Sequence, residues 1–198
     1  LAARLAPWRR RAAPLLSDPF RIPLAVFLLS RAYVFLLGAI AMRINLALPP
    51  VAALGYSMPE LPGPARYLLQ PWRNWDGHWY ALAALRGYGY HEAVTAFFPL
   101  YPILLKGGTW LLGGRIEPAG VLISNLALLG ALLLLYRLLA IDFERDVARR
   151  ALLYLALFPT AYYFSAVYSE SLFLLLSVGC LLAARRDRWW VAGALGFL

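Results

Sequence analysis

"FFPLYPILLKGGTWLLG", residues 97–113, decides the fold of this 198-residue chain, because it sets the side of a membrane on which everything after it lies. Its 17 residues fall at the lower edge of what a transmembrane helix needs, and Pro99, Pro102, Lys106, Gly107 and Gly108 interrupt the apolar run. Two prolines three residues apart suit an interrupted, surface-lying segment better than a helix interior.

The surroundings require a bilayer. The chain is 62% hydrophobic and 15% charged, with a mean hydropathy of +0.64, outside the range of soluble globular domains. Residues 22–42 form a first apolar run of roughly 31 Å as a helix, against a hydrocarbon core of about 30 Å. Residues 118–139 read as a second span. Residues 151–183 would make a helix of roughly 50 Å, too long for one crossing, and Pro159 and Tyr168-Ser169-Glu170 interrupt them. They are expected to divide into short spans at 151–167 and 170–184, with another beginning at 189–198. The expected fold is therefore all-α and polytopic, a single transmembrane domain over 1–198. A first residue that is Leu1 and an apolar ending, "WWVAGALGFL", suggest the N-terminal part of a longer protein. "PWRRRAAPLL" resembles the start of a signal peptide, but the full-length run behind it favours a signal anchor.

The net charge of +9 would suggest nucleic acid in a soluble domain; here the basic residues sit at the edges of apolar runs, where they orient a membrane protein, and no nucleic-acid partner is expected. The single Cys180 excludes an internal disulfide. With Arg4, Arg9, Arg10 and Arg11 in the cytoplasm, the first span delivers residue 43 to the outside. If 97–113 crossed, Arg145, Arg149 and Arg150, and then Arg185, Arg186 and Arg188, would all face outward, breaking the positive-inside rule twice. If it lies along the outer interface, both clusters fall in the cytoplasm. The outer side then holds a long loop with interfacial helices, 43–117, and a tight turn at Tyr168 to Glu170, so Asp76 and Glu170 share a side.

In "NWDGHWYALAALRGYG", residues 74–89, Trp75, Trp79, Leu82 and Arg86 recur at helical spacing, in a helix that Asp76 would start. Asp76 suits first an N-cap, a common role for aspartate, and second a base placed at the lipid boundary; the roles are compatible. His78 reads as a metal ligand or hydrogen-bond donor beside Asp76, or more blandly as an interfacial residue; no His, Cys, Asp or Glu set has metal-ligand spacing, and His91 and Glu92 add no pattern. Phe97, Phe98 and Tyr101 form either a belt of aromatic anchors or the wall of a cavity that a lipid-linked substrate enters sideways. In "LFPTAYYFSAVYSESLF", residues 157–173, Ser169 suits an N-cap and Glu170 a first helical turn, yet an acid between two apolar spans is a functional candidate by default. Arg31, near the middle of the first span, must face the interior and find a partner: Asn125, a carboxylate, or a substrate phosphate. Arg137, at a helix end, needs only to snorkel.

Taken in order, "WDGHWYALAALRGYGY", "AFFPLYPIL" and "FPTAYYFSAVYSESLF" resemble the PIG-V family, whose eukaryotic members add the second mannose of the glycosylphosphatidylinositol anchor and which belongs to the GT-C class of membrane glycosyltransferases. The resemblance runs from about residue 22 to the end. It implies a GT-C-like helical bundle that takes a sugar from a polyprenyl- or dolichyl-phosphate donor and passes it to a lipid or glycan acceptor on the extracytoplasmic side. Asp76 matches the acidic residue of the first outer loop, the expected catalytic base, and Glu170 the second acid. Trp75, His78, Tyr80, Arg31, Tyr101 and Tyr168 are the candidate substrate-binding residues around them. Attack on the face opposite the leaving phosphate implies inversion. A cationic residue or a divalent metal is called for at that phosphate, and the sequence identifies neither. An Ala-, Leu- and Arg-rich composition points to a bacterial plasma membrane, where eukaryotic relatives use the endoplasmic reticulum. The runner-up is a transporter or flippase whose pathway Arg31, Asp76 and Glu170 line; it predicts internal repeats, and none is visible.

Overall fold

A computed structural model describes residues 19–43 and 61–198, so the basic cluster Arg4, Arg9, Arg10 and Arg11 and the first part of the 43–117 loop lie outside the described residues. Among those described, every regular element is helical. Helix α1 spans Arg21–Arg43, with Pro23 in the first turn, where the ring removes no intrahelical hydrogen bond. After the short helix α2, Pro64–Leu69, and a 3-10 turn at Gln70–Arg73 come α3, Asp76–Arg86, and α4, Leu100–Leu111. Helices α5, Ile116–Asp142, and α6, Arg145–Leu157, lead to α7, Glu170–Ala184, and α8, Trp189–Phe197. Helices α1 and α5 are long and apolar enough to cross a membrane.

Two segments differ from expectation. Residues 97–113 are not broken by their prolines: Pro99 takes the N-cap of α4 and Pro102 its first turn, where a missing N–H costs nothing. The 12 residues of α4 reach only about 18 Å. The helix expected over 151–167 instead begins at Arg145, with Asp146 in its first turn, and ends at Leu157. Pro159 has no N–H to continue it and restricts the residue before it. A 3-10 turn at Pro159–Tyr162 and further turns replace the tight turn expected at 168–170, carrying the chain from 158 to 169 before α7 starts.

Helix α5 organises the bundle, packing most extensively on α7 and also against α4, α1 and α6. Arg185, just past α7, pairs with Asp142 at the end of α5, while Ser124 and Gly120 near the start of α5 meet Tyr168 and Val167 before α7. The two helices therefore run parallel. The start of α1 joins the same bundle end: Ile22 and Val26 pack with Tyr136 and Ala148, while Gly38 lies against Trp72 near the other. Helix α6 returns between them. The basic residues that follow α5 and α7 thus gather at one end, and Asp76 and Glu170 at the other.

Helix α5 is apolar all round, and its buried face combines small residues with Leu128, Leu132 and Tyr136 towards its end. Gly120, Ser124, Ala127 and Ala131 recur at helical spacing and are all buried or nearly so. Small side chains let backbones approach closely, the main source of helix association where lipid is as apolar as leucine. At Gly120 the approach is extreme, since a Cβ there would stand 2.6 Å from a Val167 methyl.

Candidate active site

Helices α3 and α7 each begin with an acid, Asp76 and Glu170, and neither N-cap residue, Trp75 or Ser169, caps through its side chain. The capping role weighed for Asp76 thus does not arise, because Trp75 occupies that position. Ser169 does stand at the N-cap, but its hydroxyl is shared with Tyr80 Oη at 2.6 Å. The Asp76 N–H donates to Tyr168 Oη at 3.1 Å, and that hydroxyl donates to the Asn74 carbonyl at 3.0 Å. Tyr168 and the Tyr80–Ser169 pair thereby tie the start of α3 to the start of α7. Asp76 is exposed; Glu170 is half-buried, and its Oε2 has no hydrogen-bond partner among the described residues.

The electrostatics agree with this convergence. Burial raises the Tyr80 and Tyr168 phenols above their ordinary value, and the charges of both Asp76 and Glu170 push each further in the same direction, against their hydrogen bonds. Burial lowers the His78 imidazole, and the Arg73 charge lowers it further, which favours the neutral form.

Residues 71–76 and 162–168 are laced together. The Tyr162 hydroxyl donates to the Pro71 carbonyl, and the Val167 N–H to the Trp72 carbonyl at 2.8 Å. Trp72, 1% exposed, stacks on Tyr162 at 5.0 Å and packs on Phe35 at 4.6 Å. Arg73 Nη1 forms a buried ion pair with Glu117 Oε1 at 2.7 Å, fastening this loop to the start of α5. Backbone carbonyls at the end of α6 and in the turns after it need partners, and Arg31 supplies two of them. Its Nη2 donates to the Ala156 carbonyl at 3.0 Å, and Nη1 donates to the Ala161 carbonyl at 3.0 Å and to Ser165 Oγ at 2.9 Å. Asn125, the expected partner, is reached through Ser165, whose hydroxyl donates to Asn125 Oδ1 at 3.0 Å.

The structure therefore brings Asp76, Glu170, Tyr80 and Tyr168 together, with Trp75 exposed at the turn before α3. Arg31 and Tyr101 lie in the interior and are taken up by protein: Tyr101, 1% exposed, shares a hydrogen bond with Ser124 at 2.8 Å and supports Tyr80 edge-on at 5.0 Å. His78 sits edge-on against Trp79, which also touches His91. Among the described residues no three His, Cys, Asp or Glu side chains group closely enough to hold a metal ion. Sequence reasoning missed Arg73, Trp72, Tyr162 and Glu117, which periodicity does not mark; the only signal was an arginine and paired tyrosines beside prolines in otherwise apolar sequence.

These features define an all-α membrane protein with a paired-acid site at one end of its helices. A family model described as mannosyltransferase (PIG-V) matches residues 24–197, and the chain belongs to that family. It is accordingly a glycosyltransferase of the mannosyltransferase kind. Comparisons with curated proteins and with solved structures gave no match.

Proposed function

We propose that the chain crosses the membrane several times and transfers mannose from a polyprenyl-phosphate donor to a hydroxyl of a lipid or glycan acceptor on the extracytoplasmic side. The observation that carries this reading is the meeting of Asp76 and Glu170 at two helix starts bridged by Tyr168 and Tyr80. Asp76 takes the proton of the acceptor hydroxyl; that oxygen bonds to the anomeric carbon as the bond to the phosphate oxygen breaks, and the lipid phosphate leaves with the electron pair. In-line attack inverts the anomeric centre. Glu170, with an unpaired buried oxygen, accepts a hydrogen bond from the sugar. Arg31 holds segment 158–169, and hence Tyr168 and Glu170, in register. Nucleotide sugars are cytoplasmic, so a site on the far side needs a donor that arrives within the membrane.

Asp76→Asn keeps shape and removes the base; sugar transfer from a polyprenyl-phosphate donor should fall at least about 100-fold. Near wild-type turnover would remove Asp76 from the mechanism, and unchanged activity of Glu170→Gln would leave Glu170 a structural role. Sidedness rests on the basic residues at the opposite bundle end. With Cys180 replaced, single cysteines at positions 92 and 146, both exposed, should be labelled from outside and inside respectively. Labelling of 146 from outside would restore 97–113 as a crossing.

A further inference from the structure

The turn that delivers Asp76 holds a residue in a conformation that favours glycine. Gly77 N–H bonds the Asn74 carbonyl at 3.2 Å, and Trp75 has φ 51° and ψ −117°, the first central position of a type II′ turn, which normally takes glycine. A side chain is disfavoured there, and such outliers cluster where function demands them. The indole is 44% exposed, its edge 6.3 Å from the Tyr162 ring. On the other loop Tyr163, 37% exposed, lies 17° from parallel against Tyr168 at 5.4 Å. Tyr168 is the residue whose hydroxyl holds the Asp76 N–H. Asp76 thus follows one accessible ring, Trp75, and is joined through Tyr168 to a second, Tyr163, and both rings touch Tyr162 edge-on. Exposure of an indole does not require the strain, since Trp110 and Trp190, 81% and 93% exposed, stand on ordinary helical backbone.

We propose that Trp75 and Tyr163 form the acceptor subsite and hold a hexopyranose ring. A pyranose has an apolar C–H face and a rim of hydroxyls; the C–H groups suit the electron-rich faces of aromatic rings. Exposed Asn74, Asp76 and Thr160 offer polar groups to a sugar rim, beside the exposed apolar Phe158 and Pro159. The assignment to the acceptor rests on the reading of Asp76 as the base that meets the acceptor hydroxyl.

The test is saturation-transfer NMR on the protein in lipid nanodiscs with octyl α-mannopyranoside. Wild type should saturate the sugar-ring protons. Trp75→Leu and Tyr163→Leu should each reduce that transfer at least about threefold, leaving the octyl signals unchanged, while Trp75→Phe retains it. Trp75→Gly, which suits the turn, controls for misfolding: it should match or exceed wild type in thermal stability and still lose the ring signal. No ring saturation in wild type, or leucine variants equal to wild type, overturns the proposal. Normal transfer by Asp76→Asn with aromatic-dependent sugar binding would instead discard the base and the acceptor label while the sugar subsite stands. An inactive Asp76→Asn with binding indifferent to both rings would discard the subsite alone.

Discussion

The two ends of the bundle use charge in opposite ways. At the end where α5 and α7 finish, charges are numerous and wet: Arg185 and Asp142 pair with side chains 49% and 46% exposed, and arginines crowd both connections. At the other end an enclosed pair stands beside exposed charges such as Asp76 and Arg115: Arg73 and Glu117 pair with side chains 7% and 12% exposed, among hydrogen-bonded tyrosines, serines and carbonyls. Exposed charge is cheap to hold and strongly felt by the membrane field, so it orients. Enclosed charge is expensive unless every partner is present, so it specifies one arrangement.

Breaking the enclosed end should have the largest effect. Glu117→Gln removes the carboxylate that meets Arg73 Nη1 at 2.7 Å and should cost up to about 3 kcal/mol, read as a lowered thermal midpoint in detergent, whereas Arg73→Leu with Glu117→Leu should recover much of the loss. A double variant no better than the single would show that the pair's worth is not electrostatic. Gly120→Ala comes next. Better helix propensity offers about 1 kcal/mol, but the new methyl meets the β-branched Val167, and overpacking costs about 1–3 kcal/mol, so the net effect is destabilising. Gly193→Ala in α8, with nothing within 4 Å of the added carbon, is the matched control and should be neutral or stabilising. Smallest is Arg185→Ala at the wet end, expected to change stability by less than about 1 kcal/mol. A loss there as large as that of Glu117→Gln would erase the contrast.

The legible and illegible parts of the sequence divide along the same line. Helices α1 and α5 follow from long apolar runs, α3 from the spacing of Trp75, Trp79, Leu82 and Arg86, and the start of α7 from Ser169 and Glu170, because each signal is local. The end of α6 was misplaced because Pro159 was read as an interruption within a span, although its missing N–H stops the helix two residues earlier. The partners of Arg31 were illegible for a different reason. Three of its hydrogen bonds reach residues more than 120 positions away, and two of those acceptors are backbone carbonyls, which every residue carries.

Sequence alone determined an all-α membrane chain, the asymmetry of its charge, and two acids each placed to open a helix, since those depend on composition and on neighbours within a few residues. Tertiary structure alone decided that the two helix starts meet and that Gly120 of α5 lies against Val167. Each is a relation between segments tens of residues apart, set by which backbones approach closely enough to exchange hydrogen bonds, and no local pattern encodes that.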